Sequence, residues 1–145
     1  APDSMKLHHT SDRRLDAFRA ALQGLATDAP RLLGEAVAEG GEAAITAEFA
    51  KEADPAGNPW ARRKPPTGSW PILRKTGRMY GSAMARPLPS AAEFTVATPA
   101  EFHQGGTSRM VARELLPKGT LPEPWRVAIA EAVRERIADR LRVRV

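Results

Sequence analysis

The chain has 145 residues, of which 42% are hydrophobic, and its formal net charge is +5 at pH 7. These values predict one globular domain and exclude a disordered polar chain. The absence of cysteine excludes disulfides and thiolate metal sites, and no apolar run approaches the roughly 20 residues that cross a bilayer. We therefore expect no membrane partner and a place in the cytoplasm, or in a particle assembled there. Residues 1–10 are predicted to be a disordered N-terminus or a cloning remnant, and residues 11–145 the domain.

Two helices are predicted in the first third of the chain. Ser11 or Asp12 can cap the first, which runs to about Ala26. Its apolar residues recur every three or four positions, at Leu15, Phe18, Ala21, Leu22 and Leu25. The segment 27–30 breaks and restarts the chain, because its last residue is a proline that suits a first helical turn. A second helix then runs to about Ala53.

Two adjacent glycines, Gly40 and Gly41, lie in the middle of the second helix. They lower its stability by about 1 kcal/mol each relative to alanine. Their presence indicates either a kink or a place where another helix approaches closely. The predicted helix is long for so small a domain, so we expect part of it to pack against a neighbouring subunit.

The middle of the chain is rich in proline, glycine and charge. A turn at residues 54–60 precedes a mobile loop near residues 61–69, which holds the basic residues Arg62, Arg63 and Lys64. The tryptophans at either end of this loop, Trp60 and Trp70, are expected to pin it to the core.

The second half of the chain predicts a small sheet between two helices. A short helix over residues 76–84 is followed by strands at 85–88 and 93–98, with a further strand at 109–116. The last helix spans residues 124–141 and has one inward stripe, formed by Trp125, Ile129, Val133, Ile137 and Leu141. The predicted fold class is α+β, with two N-terminal helices and a C-terminal helix packed on a small, mostly antiparallel sheet.

The segment 99–106 holds the densest set of side chains that can hydrogen-bond in several directions, and it is either a structural corner or an active site. Catalysis at His103 would need a nucleophile and a carboxylate, yet no cysteine exists and Ser108 lies in no nucleophile motif. A metal would need more ligands than this sequence spaces together. We therefore expect an irregular corner in which His103 and Gln104 bond the backbone, Gly105 and Gly106 let the chain reverse, and Arg113 ties down the next segment.

Four motifs in order carry a family resemblance. The first is Asp54, Gly57, Pro59 and Trp60, and the second is Leu73, Thr76 and Gly77, with Met79 where a leucine is usual. The third is the segment Pro99-Ala-Glu-Phe-His-Gln-Gly-Gly106, and the fourth surrounds Arg113, from Ala112 to Pro117. From about Ala47 onward, the chain thereby resembles the phage virion morphogenesis family. Its members are the tail-completion proteins of Mu-like and P2-like tailed phages and of their prophage relatives.

The resemblance implies a structural protein that completes the tail or joins tail to head, as a ring-forming subunit and not as an enzyme. It implies a homo-oligomer, for which a hexamer is the preferred state, and other tail or neck proteins as partners, with no cofactor or metal. The family's setting also implies a place in the virion, and in the host cytoplasm during assembly. The structural motif residues are then Trp60, Thr76, Gly77, His103, Gln104, Gly106 and Arg113.

Two other functions remain open. The first is nucleic-acid binding by the basic loop and the arginine-rich last helix, without sequence specificity. The residues available for contact with a partner or with DNA are Arg62, Arg63, Lys64, Arg136, Arg140 and Arg144. The second is a small enzyme built around His103.

Overall fold

The computed structural model describes residues 13–63, 71–73, 77–97, 99–108 and 110–142. The order of elements is α1 (Arg13–Lys51), α2 (Arg78–Ser82), β1 (Met84–Leu88), β2 (Ala91–Thr95), α3 (Pro99–Gly105) and α4 (Glu123–Leu141). The fold is α+β, as the sequence predicts: a long N-terminal helix and a C-terminal helix pack on a two-stranded antiparallel sheet. The predicted disordered residues 1–10, Trp70 and most of the predicted loop lie outside the described residues. No described helix is long and apolar enough to cross a membrane.

The prediction of two N-terminal helices is wrong, because α1 continues through Pro30. A proline inside a helix removes one backbone hydrogen bond and commonly costs about 3 kcal/mol. Packing on both sides of the proline offsets this cost. The Pro30 carbonyl accepts a hydrogen bond of 2.8 Å from the backbone N–H of Ser90, and Arg140 of α4 pairs with Asp28 at 2.6 Å.

The glycines of α1 mark close approach by other elements, which settles the alternatives left open by the sequence. A Cβ atom added at Gly40 would lie 2.6 Å from the Ile129 Cα of α4. At Gly41 it would lie 2.2 Å from the ring of Phe94, and at Gly34 it would lie 1.9 Å from the Leu88 carbonyl oxygen. Both α4 and the hairpin therefore pack directly against the backbone of α1, which is the central element of the fold.

The core lies where the end of α1 meets the start of α4. Its buried residues are Ala44, Ile45, Phe49, Trp60, Ile72, Met79, Ala100, Leu115 and Trp125. Aromatic rings meet edge to face within it: the Phe49 and Trp60 centroids are 5.5 Å apart, and those of Phe94 and Trp125 are 5.2 Å apart. Trp60 is 3% exposed, so it anchors the start of the loop as expected.

The hairpin begins and ends close to the predicted positions. Strands β1 and β2 pair in the register Ala85↔Phe94 and Leu88↔Ala91, which leaves a tight turn at Pro89 and Ser90. Ser90 takes a positive φ of 55° there. The predicted third strand at 109–116 is absent from the described residues 110–116, because their backbone groups bond to side chains and loops instead of to a strand.

Replacing Gly40 by alanine tests the close approach of α4. Alanine favours a helix by about 1 kcal/mol over glycine, but here its methyl group would overlap the backbone of Ile129. Overpacking of this kind costs typically 1–3 kcal/mol, so we expect Gly40→Ala to lower the free energy of unfolding in urea. Gly24→Ala is the matched control, because its methyl group would meet only the flexible guanidinium of Arg140, at 3.3 Å. Equal or higher stability of Gly40→Ala would contradict this packing.

Candidate functional site

The side chain of Gln104, at the end of α3, holds the segment after it by three hydrogen bonds. Its Oε1 atom accepts from the backbone N–H groups of Leu115 at 2.8 Å and Leu116 at 2.9 Å. Its Nε2 atom donates to the Leu116 carbonyl at 2.5 Å. One amide side chain thus pairs with the backbone as a neighbouring strand would, and it seats the buried Leu115 in the core.

Two more side chains join residues 113–116 to the end of the turn at residues 54–60, which we call the tryptophan turn because it ends at Trp60. The Nε atom of Arg113 donates to the Ala61 carbonyl at 2.8 Å, and the indole N–H of Trp60 donates to the Glu114 carbonyl at 2.9 Å. The backbone N–H of Arg113 also donates to the His103 carbonyl at 2.7 Å. We call Trp60, His103, Gln104, Gly106 and Arg113 the Gln104 corner, since these residues tie three distant segments together.

Gly106 makes the reversal between α3 and Arg113. Its φ is +71°, and a Cβ atom there would lie 2.9 Å from both the Met110 carbonyl oxygen and the Ala112 nitrogen. The loop closes by mutual backbone hydrogen bonds between Thr107 and Met110, at 2.9 and 3.2 Å. Any other residue at position 106 would meet both backbone strain and a clash.

The first motif is also a turn. The Asp54 carboxylate accepts a hydrogen bond of 2.8 Å from the Asn58 backbone N–H, and the Asp54 carbonyl accepts one of 2.9 Å from the Gly57 N–H. Gly57 has a φ of +93°, which favours glycine. The turn directs Trp60 back into the core. Gly77, from the second motif, likewise has a positive φ of 71° at the start of α2, whereas Thr76 lies outside the described residues.

His103 is half-buried, and its Nδ1 atom has no hydrogen-bond partner among the described residues. Burial lowers the pKa of this imidazole, and the nearby Arg113 charge lowers it further. The imidazole is therefore neutral at pH 7. No group of three or more metal-ligating side chains occurs among the residues that the structure describes.

The central segment differs from its prediction in two respects. Residues Pro99–Gly105 form the helix α3 and not an irregular turn. The Nδ1 atom of His103 makes no hydrogen bond among the described residues, although the sequence predicts that the imidazole bonds the backbone. The reversal is confined to Gly106, since Gly105 still belongs to the helix. Proline suits a first helical turn, and glycine suits the residue after the last one, so the two signals that indicated irregular structure are the ends of a short helix.

The candidate contact arginines are largely paired within the chain. Arg136 contacts Glu35 at 2.8 Å and Glu39 at 2.9 Å, and Arg140 contacts Asp28 at 2.6 Å. Arg62 contacts Glu52 at 2.9 Å. Arg136 and Arg140 thus join α4 to α1 and do not form a separate basic face. Lys64 and Arg144 lie outside the described residues.

One buried ionisable group was missed by sequence reasoning. Glu48 of α1 is 5% exposed, and its Oε1 atom accepts a hydrogen bond of 2.7 Å from the Trp125 indole N–H. Its Oε2 atom has no partner among the described residues. Burial raises the pKa of this carboxyl to about 8. The signal in the sequence was its place between Ile45 and Phe49, on the inward face of the helix.

The chain was compared with protein-family models, with curated proteins and with solved structures, and no match was found in any of the three.

Gln104→Ala tests the three hydrogen bonds from the Gln104 side chain to Leu115 and Leu116, which we call the clamp. The substitution leaves two backbone N–H groups and one carbonyl in a partly buried place without partners, and each unsatisfied buried group costs about 1–3 kcal/mol. We expect a loss of several kcal/mol in urea unfolding and faster amide hydrogen exchange at Leu115 and Leu116. Gln23→Ala, on the exposed surface of α1, is the control and should leave both quantities close to wild type. Unchanged exchange at these two amides would rule the clamp out.

Glu48→Gln tests the buried carboxyl through pH. Because the folded-state pKa lies near 8 and an unfolded glutamate titrates near 4.3, the folded protein retains a proton that the unfolded chain releases between these values. The wild-type free energy of unfolding should therefore fall as pH rises from about 5 to 8, by up to about 1.4 kcal/mol per pH unit from this group.

Glutamine keeps the acceptor for Trp125 and cannot ionise, so the stability of Glu48→Gln relative to wild type should rise across the same pH range. Glu135→Gln, at an exposed carboxyl of α4, controls for the loss of charge. A stability difference that stays constant between pH 5 and 8 would show that Glu48 is ionised in the folded protein.

Proposed function

We propose that this protein is a structural subunit of a tailed-phage particle, acting in tail completion or head–tail joining as part of a ring. The proposal rests on the resemblance of its four motifs to the virion morphogenesis family. The fold adds a physical reason for those motifs, since each described one marks a turn or a joint of the chain.

The observation that carries the structural role is the Gln104 corner. Gln104, Arg113 and Trp60 all bond backbone groups of their own chain. A side chain engaged in this way is not available to bind or activate a substrate. The corner instead fixes how α3 and the segment before α4 sit on the core, which is the requirement for a building block of defined shape.

The partners in this proposal are other copies of the chain, in a ring for which six is the preferred number of subunits, and further tail or neck proteins. The number six comes from the family's setting. The place of action is the host cytoplasm during assembly and then the virion. No cofactor or metal takes part in the proposed role.

Nucleic-acid binding is the alternative, and the positions of its arginines weigh against it. A cation that binds phosphate must leave its existing partner, and Arg136 and Arg140 already hold α1 to α4. A protein that binds DNA through basic residues loses affinity steeply as salt rises. The salt dependence of DNA affinity therefore tests this alternative.

The mass of the purified protein by light scattering, followed by electron microscopy, tests the proposal. We expect closed rings or a ring-forming oligomer, and weak duplex DNA binding that disappears at physiological salt. A strict monomer that binds duplex DNA tightly, with a steep linear fall of log affinity against log salt, would overturn the structural role in favour of the alternative.

A further inference from the structure

The first part of α1 projects beyond the rest of the described molecule. Helix α4 runs antiparallel to α1 and ends beside Gly24, where Arg140 lies. Residues 13–23, which we call the overhang, extend about 16 Å past this point at 1.5 Å per residue. None of them is buried. The overhang carries a stripe of large apolar side chains, each 42% exposed: Leu15, Phe18 and Leu22.

A groove lies near the opposite end of α1. It has a volume of about 510 Å³ and is formed by the last turns of α1, the turn after them and the first turns of α4. Its floor is apolar and made mostly of small residues, which permit close approach of a helix: Ala43, Ala44, Ala47, Ala53, Val127 and Ala128. Val127 is 48% exposed, so the groove has no cover among the described residues.

The charges of the two surfaces are opposite. The overhang holds three arginines and one aspartate, a formal net charge of +2: Arg13, Arg14, Arg19 and Asp16. The groove is rimmed by three carboxylates and one lysine, a formal net charge of −2 without the buried Glu48: Asp54, Glu123, Glu131 and Lys51. Among the described residues Glu131 has no ion pair, and the only one of Glu123 is long, at 4.0 Å to Arg126.

We propose that the overhang of one copy of this chain docks in the groove of the next copy, with its apolar stripe on the alanine floor and its arginines against the acidic rim. This inference rests on the proposed function and specifies the contact between ring subunits. The two surfaces lie at opposite ends of a 39-residue helix, about 58 Å long at 1.5 Å per residue. They therefore cannot meet within one molecule.

The contact is head to tail, because it joins two different surfaces of the same chain. A contact of this kind builds a ring when its rotation closes and a filament when it does not. When its rotation closes, the proposed contact builds a ring without a second interface.

A second apolar groove, lined by Leu33, Val133 and Ile137, lies closer to the overhang of the same molecule. Its lining includes a cation, Arg136, which already pairs with Glu35 of α1. This groove therefore offers less charge complementarity to an arginine-bearing helix. This second groove would suit a two-fold contact, in which two copies pair through the same surface. The experiment below distinguishes that arrangement from the head-to-tail contact.

Two variants separate these arrangements. Phe18→Gln with Leu22→Gln removes the apolar stripe and keeps good helix formers. Ala43→Arg, at an exposed position of the groove, blocks its floor with a bulky cation. Met84→Gln with Val111→Gln is the matched control, since these apolar residues are 62% and 53% exposed and lie on neither surface. Circular dichroism and thermal melting verify that each variant folds.

Sedimentation velocity over a range of concentrations is the measurement. We expect the wild type and the control to self-associate, and each test variant to lose association by about tenfold or more, since burying one large apolar side chain favours association by at least that factor. An equimolar mixture of the two test variants should form a 1:1 dimer and stop there. Each pair then contains one intact overhang, one intact groove and two disabled surfaces. Association of the wild type should also weaken with salt.

Three results would overturn the inference. The first is self-association of Ala43→Arg at wild-type strength with loss only in the overhang variant, which indicates a two-fold contact. The second is self-association of both variants at wild-type strength. The proposed ring role would then stand, but the subunits would join through another interface. The third is a wild type that stays monomeric, after which the DNA-binding measurement decides the proposed function separately.

Discussion

The structure depends on the contact between α1 and α4 at Gly40 and Gly41. Gly40 lets the backbone of α4 lie against that of α1, and Gly41 leaves room for the rings of Phe94 and Trp125 between α1 and the hairpin. Trp125 in turn meets the buried Glu48, while Arg136 and Arg140 close the rest of the seam with ion pairs. A larger residue at either glycine would separate the helices and remove the site that the tryptophan fills.

The Gln104 corner extends this arrangement to the parts of the chain without regular structure. The segment between α3 and α4 has no strand beside it, yet Leu115 must be buried for the core to close. Gln104 supplies in one side chain the hydrogen bonds that a strand would supply. Arg113 and Trp60 then attach the same segment to the end of the tryptophan turn. The corner is thus a consequence of burying apolar side chains on irregular backbone.

Periodicity predicted the fold class and the hairpin, and the backbone pairing of Gln104 followed from its donors and acceptors. The predicted inward stripe of α4 holds only in part, because Trp125 is buried whereas Ile137 is 38% exposed. Pro30 misled, because α1 continues through it with contacts to the hairpin and to α4 on either side, and no local signal carries such long-range contacts. Pro99 and Gly105 misled because residues typical of loops also begin and end short helices. Glu48 was missed because a charged side chain inside a helix usually faces solvent.

The pairing of the first helix with the last has a consequence for synthesis on the ribosome. Asp28 and Arg140 are 112 positions apart, and the α1 backbone at Gly40 gains its cover only when α4 has been made. Contacts this distant in sequence close late and slowly. The nascent chain must therefore carry this part of α1 uncovered until α4 has left the exit tunnel, and the core around Trp125 closes only then.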